Sequence, residues 1–270
     1  MSTVIVVTSG KGGVGKTTTS ASIATGLALK GHKVVVIDFD VGLRNLDLMM
    51  GCERAIVHDF INVVQGEVDI QHALIQDKRI KNLFILASSQ TRDKDNLSKE
   101  GVGLAINALK KQGFNYIICD SPAGIEKAVQ LSLYYADEAI IVTNAEISSV
   151  RDADRILGIL QHNSKRADDG LSPIKEHLVL TRYQPERVKE GDMLSVDKVI
   201  DLLSIPLLGV VPEAKEALPA VNSGMPIILN KTADASLAYQ DIVERILGGS
   251  REQRFITLPR KSIFRRIFGK

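Results

Sequence analysis

The stretch VIVVTSGKGGVGKTT, residues 4–18, decides the fold. Val4 to Thr8 is a continuous run of apolar and β-branched residues, the pattern of a strand buried on both faces. Gly10, Gly12, Gly13 and Gly15 follow at once, and from Thr17 to Lys30 the chain reads as a helix that stops at Gly31. Gly10, Gly15, Lys16 and Thr17 match G-x-x-x-x-G-K-[ST], and a strand before and a helix after are the setting that this motif requires. Its physics is direct. The glycines let backbone N–H groups, including that of Val14, turn inward and approach an anion closely. The helix N-terminus adds a favourable dipole. Lys16 is expected on the β- and γ-phosphates, the Thr17 hydroxyl on Mg²⁺, and Thr18 on a further phosphate oxygen. A phosphate loop needs one lysine, and this one has a second, Lys11.

Six more runs repeat the strand pattern: VVVID (34–38), LFILA (83–87), YIICD (116–120), AIIVT (139–143), HLVLT (177–181) and LLGVV (207–211). They are continuous rather than alternating, as strands of a parallel sheet are. Helical stretches separate most of them. Residues 146–161, with Ser148 and Ser149 near the start as an N-cap signal, and residues 233–247, ending at Gly248 and Gly249, are the clearest. The alternation implies an α/β fold, a doubly wound and mostly parallel sheet flanked by helices, in a single domain over residues 1–249. Residues 250–258 read as a tether and residues 259–270 as a separate amphipathic element.

Composition narrows the function classes. The 270 residues are 44% hydrophobic, enough for a sizeable core, and the formal net charge is +2. Arg260, Lys261, Arg265, Arg266 and Lys270 crowd the end without an acid, and removing that +5 leaves −3 for the rest. A broadly basic surface for nucleic acid is therefore not expected. No apolar run approaches the roughly 18 residues of a membrane span. Cys52 and Cys119 stand apart, and only Met1, Ser2 and Thr3 precede the first strand, so a reducing compartment without a signal peptide is expected. His32, His58, His72, His162 and His177 lack metal-ligand spacing.

Two strands end in acids: Asp38 and Asp40 after the second run, Asp120 after YIICD. Ligands of open α/β sheets bind beyond the carboxyl ends of strands, so all three acids are expected on the phosphate side. Acids beside a polyphosphate need a cation between them, which makes Mg²⁺ part of the expectation. Asp120 has the position of a Walker B carboxylate. One of Asp38 and Asp40 orients the attacking water, and Asp38 is also a candidate metal ligand. No N-K-x-D guanine-reading motif is present, which favours ATP.

The extra lysine makes KGGVGKTT resemble the deviant Walker A loop. SQTRDKDNL, CDSPAGIE and ADEAIIVTNAEISSVRDADRILGIL extend the likeness over nearly the whole chain. The sequence is identified as a member of the septum-site-determining branch of the MinD/ParA superfamily. That resemblance implies an ATPase that dimerises on ATP, with Lys11 reaching the partner's phosphates across the dimer and Lys16 serving its own. It places Arg182, Pro212 and Glu213 around the base, although relatives often have Asn where Thr181 stands. It implies a partner surface on the helix that begins near Glu146, with Asp152 and Asp154 as candidates for binding a division inhibitor, MinC, and an activator, MinE. It also implies a cytoplasmic location, peripheral on the inner membrane.

The end of the chain fits that reading on its own terms. In a helix from Pro259, Ile263, Phe264, Ile267 and Phe268 fall within an arc of roughly 140°, flanked or opposed by Lys261, Arg265, Arg266 and Lys270. Such a helix suits an anionic membrane surface. Docking of the stripe on the body, or nucleic-acid binding by its cations, are the alternatives. At the level of function the rivals are a DNA-partitioning ATPase and a flagellar-number ATPase of the same superfamily.

Overall fold

A computed structural model describes residues 2–42 and 45–257. Its centre is one eight-stranded sheet: β1 (Thr3–Thr8), β2 (Val34–Asp38), β3 (Ile75–Gln76), β4 (Leu83–Leu86), β5 (Tyr116–Asp120), β6 (Glu138–Asn144), β7 (Lys175–Tyr183) and β8 (Leu207–Pro212). The spatial order is β3-β4-β2-β5-β1-β6-β7-β8. The pairings are parallel from β4 to β8, and only the β3–β4 pair is antiparallel. All seven expected strands are present. β3 was not anticipated, because a strand of two residues has no periodicity to read.

The sheet separates two cores, and the strand period of two assigns residues to each. Val4 and Val6 of β1 face one core, whereas Ile5 and Val7 face the other. Helices Lys99–Lys111, Lys127–Tyr134, Ile147–His162 and Val196–Leu203 cover the first face. Helices Lys16–Leu29 and Asp234–Ile246 cover the second. The first helix ends as the sequence suggests. Gly31, at φ 91°, follows Lys30, the Gly31 N–H donates to Ala28 O (3.0 Å) and the His32 N–H to Leu27 O (3.3 Å), which is a Schellman motif. No helix among the described residues is long and apolar enough to cross a membrane.

Three local expectations meet differences. Helix Ile147–His162 is not capped by a serine. Glu146 is its N-cap residue and makes no side-chain cap, Ser148 is exposed, and Ser149 is buried. Strand β7 runs two residues past Thr181, with a register irregularity between Leu180 and Tyr183 and Arg182 at φ 53°. Residues 251–256, within the stretch read as a tether, make contacts with the body. Arg245 donates to the carbonyls of Arg251 (3.1 Å) and Glu252 (2.7 Å), and Arg254 Nε lies 2.8 Å from the buried Asp241 carboxylate. Phe255 and Ile256 pack against the second and the first core respectively. The basic and apolar residues read as a membrane element, Lys261, Ile263, Phe264, Arg265, Arg266, Ile267 and Phe268, lie outside the described residues.

Close packing of the first and last helices generates a test. A Cβ on Gly26 would stand 2.6 Å from Val243 Cγ2 and 2.8 Å from Ile228 Cδ1. Alanine gains about 1 kcal/mol of helix propensity over glycine, but overpacking costs about 1–3 kcal/mol, and a Val243 methyl has no flexible stem with which to retreat. Gly26→Ala is expected to lower the melting temperature by roughly 2–6 °C, and adding Val243→Ala to recover part of that loss. A higher melting temperature for Gly26→Ala alone would contradict this packing.

Candidate functional site

β1 delivers the phosphate loop to the point where the sheet order reverses, with β5 on one side and β6 on the other. Gly13 (φ 75°) and Gly15 (φ 95°) take left-handed backbone that other residues rarely adopt. Gly10 answers a different need, since a Cβ there would overlap the carbonyl oxygen of Asp152 in helix Ile147–His162. The loop therefore sits directly on the helix expected to carry the partner surface. Gly12 and Gly13 are exposed, Val14 is buried, and the segment after β5 lies alongside: the Ser121 N–H donates to Val7 O (3.1 Å) and the Gly124 N–H to Ser9 O (3.3 Å).

The two lysines occupy different surroundings. Lys16 is buried at the start of the first helix. Burial pushes its ammonium below the ordinary lysine range, and Asp120 and then Asp40 oppose that shift. Lys11 is 42% exposed, and its Nζ lies 3.3 Å from Ser148 Oγ and 3.5 Å from Glu146 Oε2. Glu146 and Ser148 as the partners of Lys11 were not read from the sequence; only the fold brings the start of that helix to the loop.

The acids converge as expected. Asp38 and Asp120 are neighbours in register at the ends of β2 and β5, and both are buried. Burial, and next the adjacent Asp120, push the Asp38 carboxyl well above its ordinary range. Its Oδ1 accepts the Asp40 N–H at 2.8 Å, whereas the buried Oδ2 has no hydrogen-bond partner among the described residues. Burial also raises Asp120, to about 6, while hydrogen bonds from Ser20 and Thr17 act the other way. The Ser20 contact, Oγ to Oδ1 at 2.7 Å, was missed because a serine inside a helix gives no signal. Asp40 is half-buried and raised by burial, with Lys16 lowering it.

This oxygen-donor set fits Mg²⁺. Among the described residues no group of three or more His, Cys, Asp or Glu would hold a metal by protein atoms alone. Mg²⁺ does not ask for one, because it is usually held by one or two carboxylates, substrate phosphates and water. Thr17, Asp38 and Asp120 would hold it, and the buried Asp38 Oδ2, without a partner among the described residues, is the feature that a cation would satisfy. When bound there, the ion neutralises phosphate charge.

Beyond the loop a cavity of about 280 Å³ opens between the ends of β7 and β8. Val14, Gly15 and Thr18 line it from the loop side, Arg182, Pro212 and Glu213 from the strand ends, and Ala217, Leu218 and Val221 from helix Ala217–Asn222. Its concave, largely apolar wall with a few polar groups suits a planar base. The backbone irregularity at Arg182 accounts for that side chain lying at the rim. The paired candidates on the long helix separate. Asp152 is half-buried against Gly10 and lies 3.7 Å from Arg155, while Asp154 is exposed.

A phosphate loop at the switch point, an adjacent acid pair and a base-sized cavity define a P-loop nucleotide-binding ATPase. Residues 5–227 match the CbiA family, described as the CobQ/CobB/MinD/ParA nucleotide binding domain. The septum site-determining protein MinD of Neisseria meningitidis serogroup B is 62% identical over 271 residues, with both chains fully covered. The Aquifex aeolicus MinC:MinD cell division protein complex contains a chain superposing with TM-score 0.84 at 40% identity, over 95% of this chain and 100% of that one. The MinD of Pyrococcus horikoshii OT3 complexed with Mg-ADP gives 0.76 at 27% identity, over 92% and 98%. The chain belongs to the MinD family of septum site-determining ATPases.

The buried acid pair has a measurable consequence. A carboxyl whose folded pKa is raised favours the protonated fold, so ionised Asp38 destabilises the ligand-free chain at neutral pH. In Asp38→Asn the amide oxygen keeps the Asp40 N–H and the amide N–H₂ can donate to Asp120. This variant is expected to be about 1–2 kcal/mol more stable than the parent without ligand and to lose nucleotide turnover. A variant less stable than the parent would contradict the repulsion.

Proposed function

We propose that this chain is an ATP-dependent, membrane-cycling ATPase that marks where the cell does not divide. ATP fills the loop and the cavity, two chains meet face to face over their nucleotides, and the paired chains bind the cytoplasmic face of the inner membrane through residues 259–270. A MinC-like inhibitor of septum formation is recruited, and a MinE-like activator triggers hydrolysis and release. The observation that carries this reading is the separation of the two lysines. Lys16 is buried among the acids of its own site, whereas the Lys11 side chain is 42% exposed on the rim and held, among the described residues, by Glu146 and Ser148. A rim cation can bind a second subunit's phosphates and so help hold the pair together, and it can stabilise transition-state charge there, as an arginine finger does.

Within one site the roles divide by environment. The backbone N–H groups of residues 10–16, Lys16 and Thr18 bind phosphate. Asp40, half-buried beside Lys16, orients the attacking water, and Asp38 and Asp120 with Thr17 hold the cation. Arg182, Pro212 and Glu213 border the base. Asp154, exposed on the helix whose other side packs on the loop, is the better placed of the two partner candidates; Asp152 is the one that senses Gly10. The Pyrococcus horikoshii protein complexed with Mg-ADP and the Aquifex aeolicus complex with MinC support the cofactor and the inhibitor.

One amphipathic tail is marginal. Each buried apolar side chain contributes about 1.5–3 kcal/mol and each cation about 1 kcal/mol near an anionic leaflet, against about 1–2 kcal/mol per ordered residue. Two tails on one dimer gain by factors on the order of 10². A DNA-partitioning role is the weaker reading, since the charge outside the tail is −3 and relatives near 20% identity, such as a putative plasmid partition protein, share the fold alone. Sedimentation with anionic vesicles tests the proposal. The full chain is expected to pellet with ATP and not with ADP, and a chain ending at Leu258, or Lys11→Ala, to stay in solution with either. Equal pelleting in ADP would sink the switch.

A further inference from the structure

Two side chains in the wall of the base cavity are tied to the phosphate loop. Thr181 Oγ1 donates to Val14 O at 2.6 Å, the nearest of three acceptors, with Asn144 Oδ1 at 2.9 Å and Thr143 O at 3.4 Å. On the opposite side Tyr239 Oη lies 3.0 Å from Thr19 Oγ1, which donates to Gly15 O at 2.9 Å. A hydroxyl has one proton. Thr19 gives its own to Gly15, so Tyr239 is the donor in its contact with Thr19. The phenol keeps that proton, because burial pushes its pKa up to about 12.

The two carbonyls belong to the peptides whose far ends are the N–H groups of Gly15 and Lys16. A trans peptide is planar, with its N–H pointing opposite to its C=O. Holding both carbonyls therefore fixes the directions in which both N–H groups of the phosphate loop point. Gly15, at φ 95° and without a Cβ, does not fix that orientation by its own sterics. Gly15 O also accepts the Thr19 N–H at 2.9 Å, so the tyrosine arm acts on a carbonyl that is already held, and the Thr181 arm is the stronger.

We propose that Thr181, together with the Tyr239–Thr19 pair, is a positioning device that couples the base cavity to the phosphate loop. A purine seated against these side chains restricts the hydroxyls that orient the Gly15 and Lys16 N–H groups, and so tightens the hold on the phosphates. This rests on the nucleotide reading above and adds to it: the base contributes beyond its own contacts. A purely structural brace would serve a phosphate chain with or without a base.

The test compares two ligands, Mg-ATP and Mg-tripolyphosphate, the second carrying the phosphates without a nucleoside. Dissociation constants are measured for the full chain and for Thr181→Val, Thr181→Ser and Tyr239→Phe, with melting temperatures alongside. The parent is expected to prefer ATP. Thr181→Val is expected to reduce that preference roughly three- to tenfold, the range for one lost hydrogen bond, Tyr239→Phe to reduce it less, and Thr181→Ser to retain it. Equal weakening of both ligands in Thr181→Val, or an unchanged preference, would overturn the coupling while leaving nucleotide binding intact. A parent chain that binds neither ligand would overturn the nucleotide reading and the coupling together. If Thr181→Val does not fold, the Tyr239→Phe preference decides by the same criterion.

Discussion

Two carboxylates side by side, Asp38 and Asp120, are what the rest of the site must accommodate. A parallel sheet covered on both faces buries the ends of its central strands, so burial raises both groups, and Asp120 raises Asp38 further. Local donors offset part of this: the Asp40 N–H on Asp38, and Ser20 and Thr17 on Asp120. Lys16 adds a buried cation within range of Asp120 and Asp40. A bare polyphosphate would meet acids there, and a bare cation would meet Lys16 and a cradle of N–H groups. A cation paired with phosphate satisfies both halves, so the charges of the site suit a metal–polyphosphate group.

The parts of this arrangement that follow from covalent pattern were legible in the sequence. Continuous β-branched runs gave seven strands, the glycine spacing gave the loop, and the strand-ending acids fell on the phosphate side. What the sequence hid depends on contacts between distant segments. Ser20 reaches Asp120 only because helix Lys16–Leu29 packs back on β5, and Tyr239 reaches Thr19 across 220 positions. Arg182 arrives at the cavity rim through a backbone irregularity that no composition announces. The serine pair at 148–149 resembled an N-cap, yet the demands of Lys11 and of the core took both residues, and capping propensity yielded to tertiary contact.

Helix Ile147–His162 packs on the first residues of the loop and also presents a face to solvent. Its first turn holds Lys11 through Glu146 and Ser148, and its backbone at Asp152 fills the space that Gly10 leaves. The first two turns of the helix thus contact the adjacent loop residues Lys11 and Gly10. Asp154, in the second of these turns, faces solvent. On the proposed reading, a partner that shifts these turns acts on Lys11 and on Gly10 together, without any long pathway between the sites. The absence of a side-chain cap matters here, since a turn without that anchor yields more readily.

The last described segment bears on how a terminal membrane element would work. A free tether from Gly249 would let a tail sample a wide volume, and the advantage of pairing two tails falls as tether length grows. Residues 251–256 are not free: Arg245 and Gln253 bind the segment to the start of β8, Arg254 to Asp241, and Phe255 and Ile256 reach the two cores. The chain is thereby anchored to the sheet edge almost to the point where the amphipathic stretch begins. On the proposed reading, most of the length assigned to a tether is attached to the body, and the distance between two tails depends on how two bodies meet. Attachment of residues 251–256 and the meeting of two chains over nucleotide then act together on where the tails lie.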